Sequence, residues 1–324
     1  MARVVHMKDP GGLETLEVAE LSLPTPGPGE IRIRQAAIGV NFIDIYHRIG
    51  LYPLPSMPAV LGVEGAGVVT AVGTDVTTVG VGDRIAYACT PGGAYSSERL
   101  LPAWRAIPLP SSVTDEVAAT AMVRGLTAQM LLTRVHPVGP GTTVLVHAAA
   151  GGLGSLLTKW AKRRGATVIG TVGSESKSAI AREAGADHII VGRETDFARE
   201  VTAFTNGRGV DVAYDGIGGT TLLKTLDCVR PFGTVASIGQ AGGPIPPLDV
   251  SEIGPRRSLS LARPSVLLYT RDPETYRSAA AEVFATLEEG VAPVIGRAYP
   301  LVEAAAAQAD LEAGRTTGSL YLVP

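Results

Sequence analysis

A chain of 324 residues with 28 Lys plus Arg against 31 Asp plus Glu carries a net charge of −3 and a pI near 6.0, so no basic surplus points to nucleic acid or an anionic membrane surface. Apolar residues make up 45% and charged residues 18%, ample for two ordinary cores. Cys89 and Cys228 lie far apart and outside any CxxC pair, no run of about 20 apolar residues is present to span a bilayer, and MARVVHMKDPGG lacks a signal-peptide core, so a reduced, cytoplasmic protein with no membrane association is expected.

Residues 1–110 read as β-rich. The apolar runs ARVVHM, GPGEIRIRQAAIGV, VLGVEGAGVVTAVG and VGDRIAYA are separated by Gly/Pro turn signals at 24–29, 50–58 and 80–82, and IRIR at 31–34 alternates as a half-buried strand does. TDEVAATAMVRGLTAQMLLTRV then predicts a long helix with Thr114 as N-cap and acids after it. Strands and helices alternate from there: TTVLVH (142–147), a helix over 153–165, ATVIGTV (166–172), the helix SKSAIAREAGA, HIIV, a helix near 196–205, VDVAYD (210–215), the helix TTLLKTLDCVR, TVASIG (234–239), and RSLSLARPS (257–265) as a sixth strand. Such alternation predicts a doubly wound α/β fold, a parallel sheet with helices on both faces. A helix over 273–289, a strand near VIGRAYP, an alanine-rich helix near 303–307 and a strand SLYLVP close the sequence. They are too few to form a domain alone and are expected to return to the N-terminal one. The expected division is 1–122 with 267–324, and 123–266.

VLVHAAAGGLGSLLTKWAKRRGA sends a strand directly into a glycine loop and a helix. Against GxGxxG it reads Ala149-x-Gly151-x-x-Gly154, with Gly152 and Leu153 inside it. Gly151 lets backbone approach a pyrophosphate, Gly154 lets the helix pack on the strand, and the helix N-terminus offers N–H groups to the phosphates. The competing reading is a tight turn with no ligand. An acid that binds the ribose 2′-OH of NAD is expected roughly 20 residues past such a loop. None sits at 171–174; Gly173, Ser174 and Lys177 of GTVGSESK are there instead, with Glu175 starting the helix, where an acid suits the dipole. A 2′-phosphate would meet the Ser174 hydroxyl, helix N–H groups and the Lys177 ammonium, which predicts NADPH. The alternative makes Ser174 an N-cap only and Lys177 a solvated helix residue.

IGVNFIDIYHRIGLYP, LGVEGAGVV, GDRIAY, AYSSE, GLTAQ, HAAAGGLGS, KWAKRRGATVIGTVGS, DVAYDGIGG and ARPS run almost end to end. In them the chain resembles the zinc-free quinone oxidoreductases, the ζ-crystallin-like branch of the medium-chain dehydrogenase/reductase superfamily. The resemblance implies a GroES-like β-rich catalytic domain plus a Rossmann dinucleotide-binding domain, NADPH as cofactor, a quinone as acceptor and a homodimer. Zinc-dependent relatives carry a metal-binding Cys in a GxCxxD-like segment and a His in GHE. Here Gly39-Val40-Asn41-Phe42-Ile43-Asp44 and Gly62-Val63-Glu64 stand at those places, and the four-cysteine lobe is absent. The histidines at 6, 47, 136, 147 and 188 are not grouped with acids or cysteines at ligand spacing, so each reads as a surface or packing residue and no metal is assigned.

Lacking a Lewis acid, such a site suits an acceptor that is already electron-poor: a quinone, or an α,β-unsaturated ketone or aldehyde. The resemblance places Asn41, Phe42, Asp44, Tyr46 and Tyr52 beside the nicotinamide. Asn41 and Tyr46 are able to donate to an acceptor oxygen or the carboxamide; the alternative makes Tyr46 and Tyr52 pocket walls. The resemblance also carries Thr127, Gly216, Ile238, Gly239, Gln240, Arg263, Pro264 and Ser265 to the cofactor site. Arg124 and Arg263 are candidates to neutralise phosphate, with an ordinary surface cation as the alternative reading of each. Bacterial relatives often read I-N-Y-R after the third strand, whereas this chain reads Ile190-Val191-Gly192-Arg193. Either Arg193 compensates for the missing tyrosine or NADPH is held less tightly. An NADPH-dependent quinone reductase is the leading expectation, an enone or alkenal C=C reductase stands beside it, and a low-turnover NADPH-binding crystallin-like or sensor protein is the non-enzymatic reading. RSLSLARPS, read as an exposed edge strand, invites pairing across subunits.

Overall fold

The computed structural model describes all 324 residues, Met1–Pro324. Contacts divide the chain into two units, Met1–Leu126 with Leu267–Pro324, and Thr127–Val266.

The first unit contains β1 (Ala2–Met7), β2 (Glu17–Leu21), β3 (Glu30–Val40), α1 (Phe42–Arg48), β4 (Ala59–Val60), β5 (Glu64–Val72), β6 (Arg84–Ala88), β7 (Glu98–Pro102), β8 (Ile107–Pro108) and most of α2 (Asp115–Met130). Along β3, Ile31 and Ile33 are fully buried while Arg32 and Arg34 lie on the more open face. A slip of one residue would drive both guanidinium groups into the core, which fixes the antiparallel register of β3 on β5 and β7. Thr114 Oγ1 accepts from Val117 N at 3.3 Å at the start of α2. The helix is shorter than its sequence pattern: after Met130 it widens into a π turn, Leu131–Val135.

The second unit alternates β9 (Thr143–Val146), α3 (Gly152–Arg163), β10 (Thr167–Val172), α4 (Glu175–Glu183), β11 (His188–Val191), α5 (Phe197–Phe204), β12 (Val210–Asp215), α6 (Gly219–Thr225), β13 (Val229–Ser237) and β14 (Ser260–Ala262). The sheet order is β11-β10-β9-β12-β13-β14 and every pair is parallel. Strand succession reverses between β9 and β12, the switch point where ligands of such sheets bind at the carboxyl ends. The helix expected over TTLLKTLDCVR stops at Thr225, and Val229 and Arg230 open β13. Its run passes through a short 3-10 turn, Leu226–Cys228, into the strand, which periodicity alone does not separate.

The chain then returns through α7 (Val266–Tyr269), α8 (Pro273–Glu288), β15 (Ile295–Pro300), α9 (Ala304–Glu312) and β16 (Ser319–Val323). β16 pairs parallel with β15 and antiparallel with β3, inside the sheet ordered β15-β16-β3-β5-β6-β8, with β7 also on β3. No helix is long and apolar enough to cross a membrane.

Candidate functional site

In the second unit the chain leaves β9 through His147 and turns at Ala148, whose backbone lies in the left-handed region at φ 52. Ala148 O accepts from Gly151 N at 2.8 Å. A Cβ on Gly154 would stand 2.1 Å from that same carbonyl oxygen, so only glycine lets α3 approach the strand this closely. Gly151 is the N-cap of α3 and has no side chain to occupy the first-turn N–H groups. Gly152 and Leu153 follow, both partly exposed. This glycine cradle at a helix N-terminus fits the pyrophosphate of a dinucleotide.

β10 ends one residue before Gly173, and Ser174 is the N-cap of α4. Ser174 Oγ lies 2.9 Å from Ser176 Oγ. Glu175, the first residue of α4, accepts from Ser178 Oγ within its own helix at 2.9 Å. Lys177, partly buried, sits in the first turn. A Cβ on Gly173 would be 3.4 Å from Arg193 Nε, so the exposed Arg193 is brought against the same corner from the end of β11. Gly192 has φ +106, and a Cβ there would meet Thr195 Oγ1 at 2.7 Å; a tyrosine would not adopt this backbone without strain. Arg193 and the paired hydroxyls of Ser174 and Ser176 thus stand at this corner, with Lys177 in the first turn of α4. Ser176 was not among the residues expected from sequence; its signal was a hydroxyl at i+2 of an N-cap.

The remaining strand ends are knitted by backbone. Asp215 Oδ1 accepts from Ile217 N at 2.7 Å and Gly218 N at 2.9 Å, Asp215 O accepts from Ile238 N at 2.8 Å, and Gly216 O accepts from Ala241 N at 3.1 Å. Gly239 is buried here, while Gly216, Ile238 and Gln240 are partly exposed. Thr127 is the first residue of this unit, on α2 and partly buried. Arg263 Nη1 donates to Ser237 Oγ at 2.8 Å, which commits that arm of the guanidinium to the end of β13 rather than to a phosphate. Pro264 and the exposed Ser265 follow it.

In the first unit a buried polar cluster surrounds the start of α1. Glu64, fully buried on β5, accepts from Asn41 Nδ2 at 2.7 Å and Arg124 Nη1 at 3.1 Å on one oxygen, and from Val123 N at 2.7 Å on the other. Arg124 also donates to Val40 O at 2.7 Å and Thr120 O at 3.0 Å. Burial raises the Glu64 carboxyl from its ordinary value and lowers the Arg124 guanidinium, and each opposes the shift of the other. Asp44 Oδ2 accepts from Asn41 N at 2.8 Å and Tyr95 Oη at 3.1 Å. Burial pushes this carboxyl up to about 7. Asp44 is fully buried, and Arg124, in the first unit, has its guanidinium engaged on Glu64 and two carbonyls. Neither contact is visible in linear spacing, because Glu64 and Arg124 are 60 residues apart.

Tyr46 is buried and Tyr52 half-buried, their rings edge-on with centroids 5.2 Å apart, and Phe42 lies 6.2 Å from Tyr46. These three form an aromatic wall on α1 and the turn after it. No three His, Cys, Asp or Glu side chains gather where they could hold a metal ion.

Two family models match this chain: the alcohol dehydrogenase GroES-like domain over residues 27–111 and the zinc-binding dehydrogenase over residues 152–285. The chain is 42% identical to the quinone oxidoreductase of Pseudomonas aeruginosa, with 100% of each covered, and 44% identical to the 2-haloacrylate reductase of a Burkholderia species, with 100% and 99% covered. Among solved structures, that of Escherichia coli quinone oxidoreductase complexed with NADPH matches at TM-score 0.96 and 38% identity over 100% of both chains.

Proposed function

We propose that this chain, which belongs to the quinone oxidoreductase family of the medium-chain dehydrogenases/reductases with a GroES-like and a Rossmann domain, is an NADPH-dependent quinone reductase. The observation that carries the reading is the corner around Gly173: Arg193 approaches from the end of β11, the Ser174 and Ser176 hydroxyls pair at the start of α4, Lys177 lies in its first turn, and Glu175 is engaged within its own helix. That chemistry suits a charged 2′-phosphate better than a bare ribose.

When bound, NADPH supplies the hydride that reduces the acceptor. The N–H groups of Gly152 and Leu153 at the start of α3 hold the pyrophosphate, while Lys177 and Arg193 hold the 2′-phosphate. The loops at Gly216 and at Ile238–Gln240 shape the backbone around the rest of the dinucleotide. Phe42, Tyr46 and Tyr52 supply flat apolar surface for an aromatic acceptor ring. Asn41 is held in one orientation by Glu64, so any bond its amide makes to the carboxamide or an acceptor oxygen is preorganised. Tyr46 orients the acceptor, and solvent protonates the reduced quinone.

The likeness to a 2-haloacrylate reductase favours a second reading, reduction of an activated C=C bond. We assign the chain to the cytoplasm and to a homodimer formed through β14. That strand is an edge of its sheet, with Leu261 exposed on it and Phe232 82% exposed on β13 beside it. NADPH oxidation with 1,4-benzoquinone, 9,10-phenanthrenequinone and an enone separates the two readings. Tight NADPH binding with no turnover of any of them would refute both in favour of a non-enzymatic binder. Lys177→Glu is expected to lower the NADPH-over-NADH preference by roughly 10- to 100-fold, the loss of one charge-assisted bond. An unchanged ratio of kcat/KM values would remove Lys177 from the site.

A further inference from the structure

His147 stands immediately before the glycine cradle, 6% exposed, and none of the roles above uses it. Its ring approaches Thr171 Oγ1 through Nδ1 at 3.0 Å and Thr225 Oγ1 through Nε2 at 2.9 Å, and Phe197 packs edge-on against it at 4.9 Å. Thr171 lies on β10 two residues before Gly173, and its carbonyl accepts from Ala149 N at 3.0 Å. Thr225 ends α6, with its hydroxyl 2.8 Å from Thr221 O and 3.2 Å from Asp215 Oδ2. The other oxygen of Asp215 accepts from Ile217 N and Gly218 N in the loop after β12. One imidazole therefore ties the chain leaving β9 to β10 on one side and to the β12 loop on the other, across the switch point.

The proton arrangement follows from the partners. Thr225 has one hydroxyl hydrogen, and both Thr221 O and Asp215 Oδ2 only accept, so that hydrogen is directed to them. Toward His147 the Thr225 oxygen accepts, which places the imidazole hydrogen on Nε2 and leaves Nδ1 to accept from the Thr171 hydroxyl. Burial favours this neutral ring, opposed by the Asp215 charge. A side chain needed only to fill space would be apolar, since a buried polar ring is desolvated at a cost that only its hydrogen bonds offset.

We propose that His147 is a positioning residue of the NADPH site, setting the glycine cradle, the 2′-phosphate corner and the Gly216–Gly218 loop in register before the cofactor arrives. The proposal rests on the NADPH reading above. Calorimetric titration of NADPH into the full chain tests it, with the parent, His147→Phe, Thr171→Val and the hydroxyl-retaining Thr171→Ser. The Kd is expected to rise by about tenfold in His147→Phe and by about threefold or more in Thr171→Val, and to return near the parent value in Thr171→Ser. KM for NADPH rises in step, while kcat falls by less. Thr171 is only half-buried and valine matches its shape, so this variant carries the test should His147→Phe not fold. A Kd within about twofold of the parent in the folded variants, with only Tm lowered, would confine His147 to core packing and overturn the proposal. A parent chain that binds no NADPH overturns the cofactor reading instead, and the proposal with it.

Discussion

Asp44→Asn is expected to make the first unit more stable at alkaline pH and not at acid pH. The carboxyl is fully enclosed, its Oδ1 is buried without a partner, and burial lifts it from 3.8 to about 7. Because the folded-state value lies above the unfolded one, the carboxyl favours the fold only where it is protonated. That contribution is complete below about pH 4 and is lost as pH rises through about 7. Ionising Asp44 in the fold costs about 4 kcal/mol at pH 8, of which more than half accrues between pH 5 and pH 8. Asparagine keeps an oxygen for Asn41 N and Tyr95 Oη but places an amide nitrogen where Oδ1 was, at roughly 1–3 kcal/mol for an unsatisfied donor. The variant should therefore exceed the parent by roughly 1–3 kcal/mol at pH 8 and come level with it or below it at pH 5. The sequence has two tryptophans, Trp104 in the first unit and Trp160 in the second. Urea denaturation in a Trp160→Phe background, followed by Trp104 fluorescence, reads the first unit without assuming that the two units melt together. A difference between variant and parent that stays constant from pH 5 to pH 8 would refute the reasoning.

Glu64→Gln leaves Arg124 buried opposite a neutral amide and should cost the first unit about 3–5 kcal/mol, read by the same Trp104 transition; the double variant Glu64→Gln/Arg124→Met should recover part of that loss. Gly154→Ala puts a methyl group 2.1 Å from Ala148 O and should weaken NADPH binding by about tenfold or more, with the far-ultraviolet circular dichroism spectrum retained. A parent-like Kd would show that α3 can move off the strand without disturbing the cradle.

The second unit was legible in the sequence because its information is local. Each parallel strand is a short apolar run, the helices are separated by glycine and cap residues, and the glycine loop joins two neighbouring elements, so strand–loop–helix succession could be read directly. What escaped was set by contacts across long stretches of chain. Asp44 and Arg124 sit in segments that match the family, yet their side chains are turned inward by partners at Tyr95 and Glu64. His147 read as a surface or packing residue because Thr171 and Thr225 are 24 and 78 residues away. Arg193 was legible as an alternative only. Its approach to Gly173 depends on the left-handed Gly192, a backbone state that composition hints at and coordinates show. Likewise the place of β16 between β15 and β3 is a pairing choice with no local signature.

That placement bears on how the protein is made. As the chain leaves the ribosome, β3 emerges early, but its neighbour β16 is translated only after all of Thr127–Val266 has passed. The middle of the sequence is thus the first part able to finish folding, and the residues synthesised first wait on those synthesised later. During that interval Ile38–Val40, the stretch of β3 that later pairs with β16, offers unpaired N–H and C=O groups to other translating chains on the same message, a template for the wrong partner.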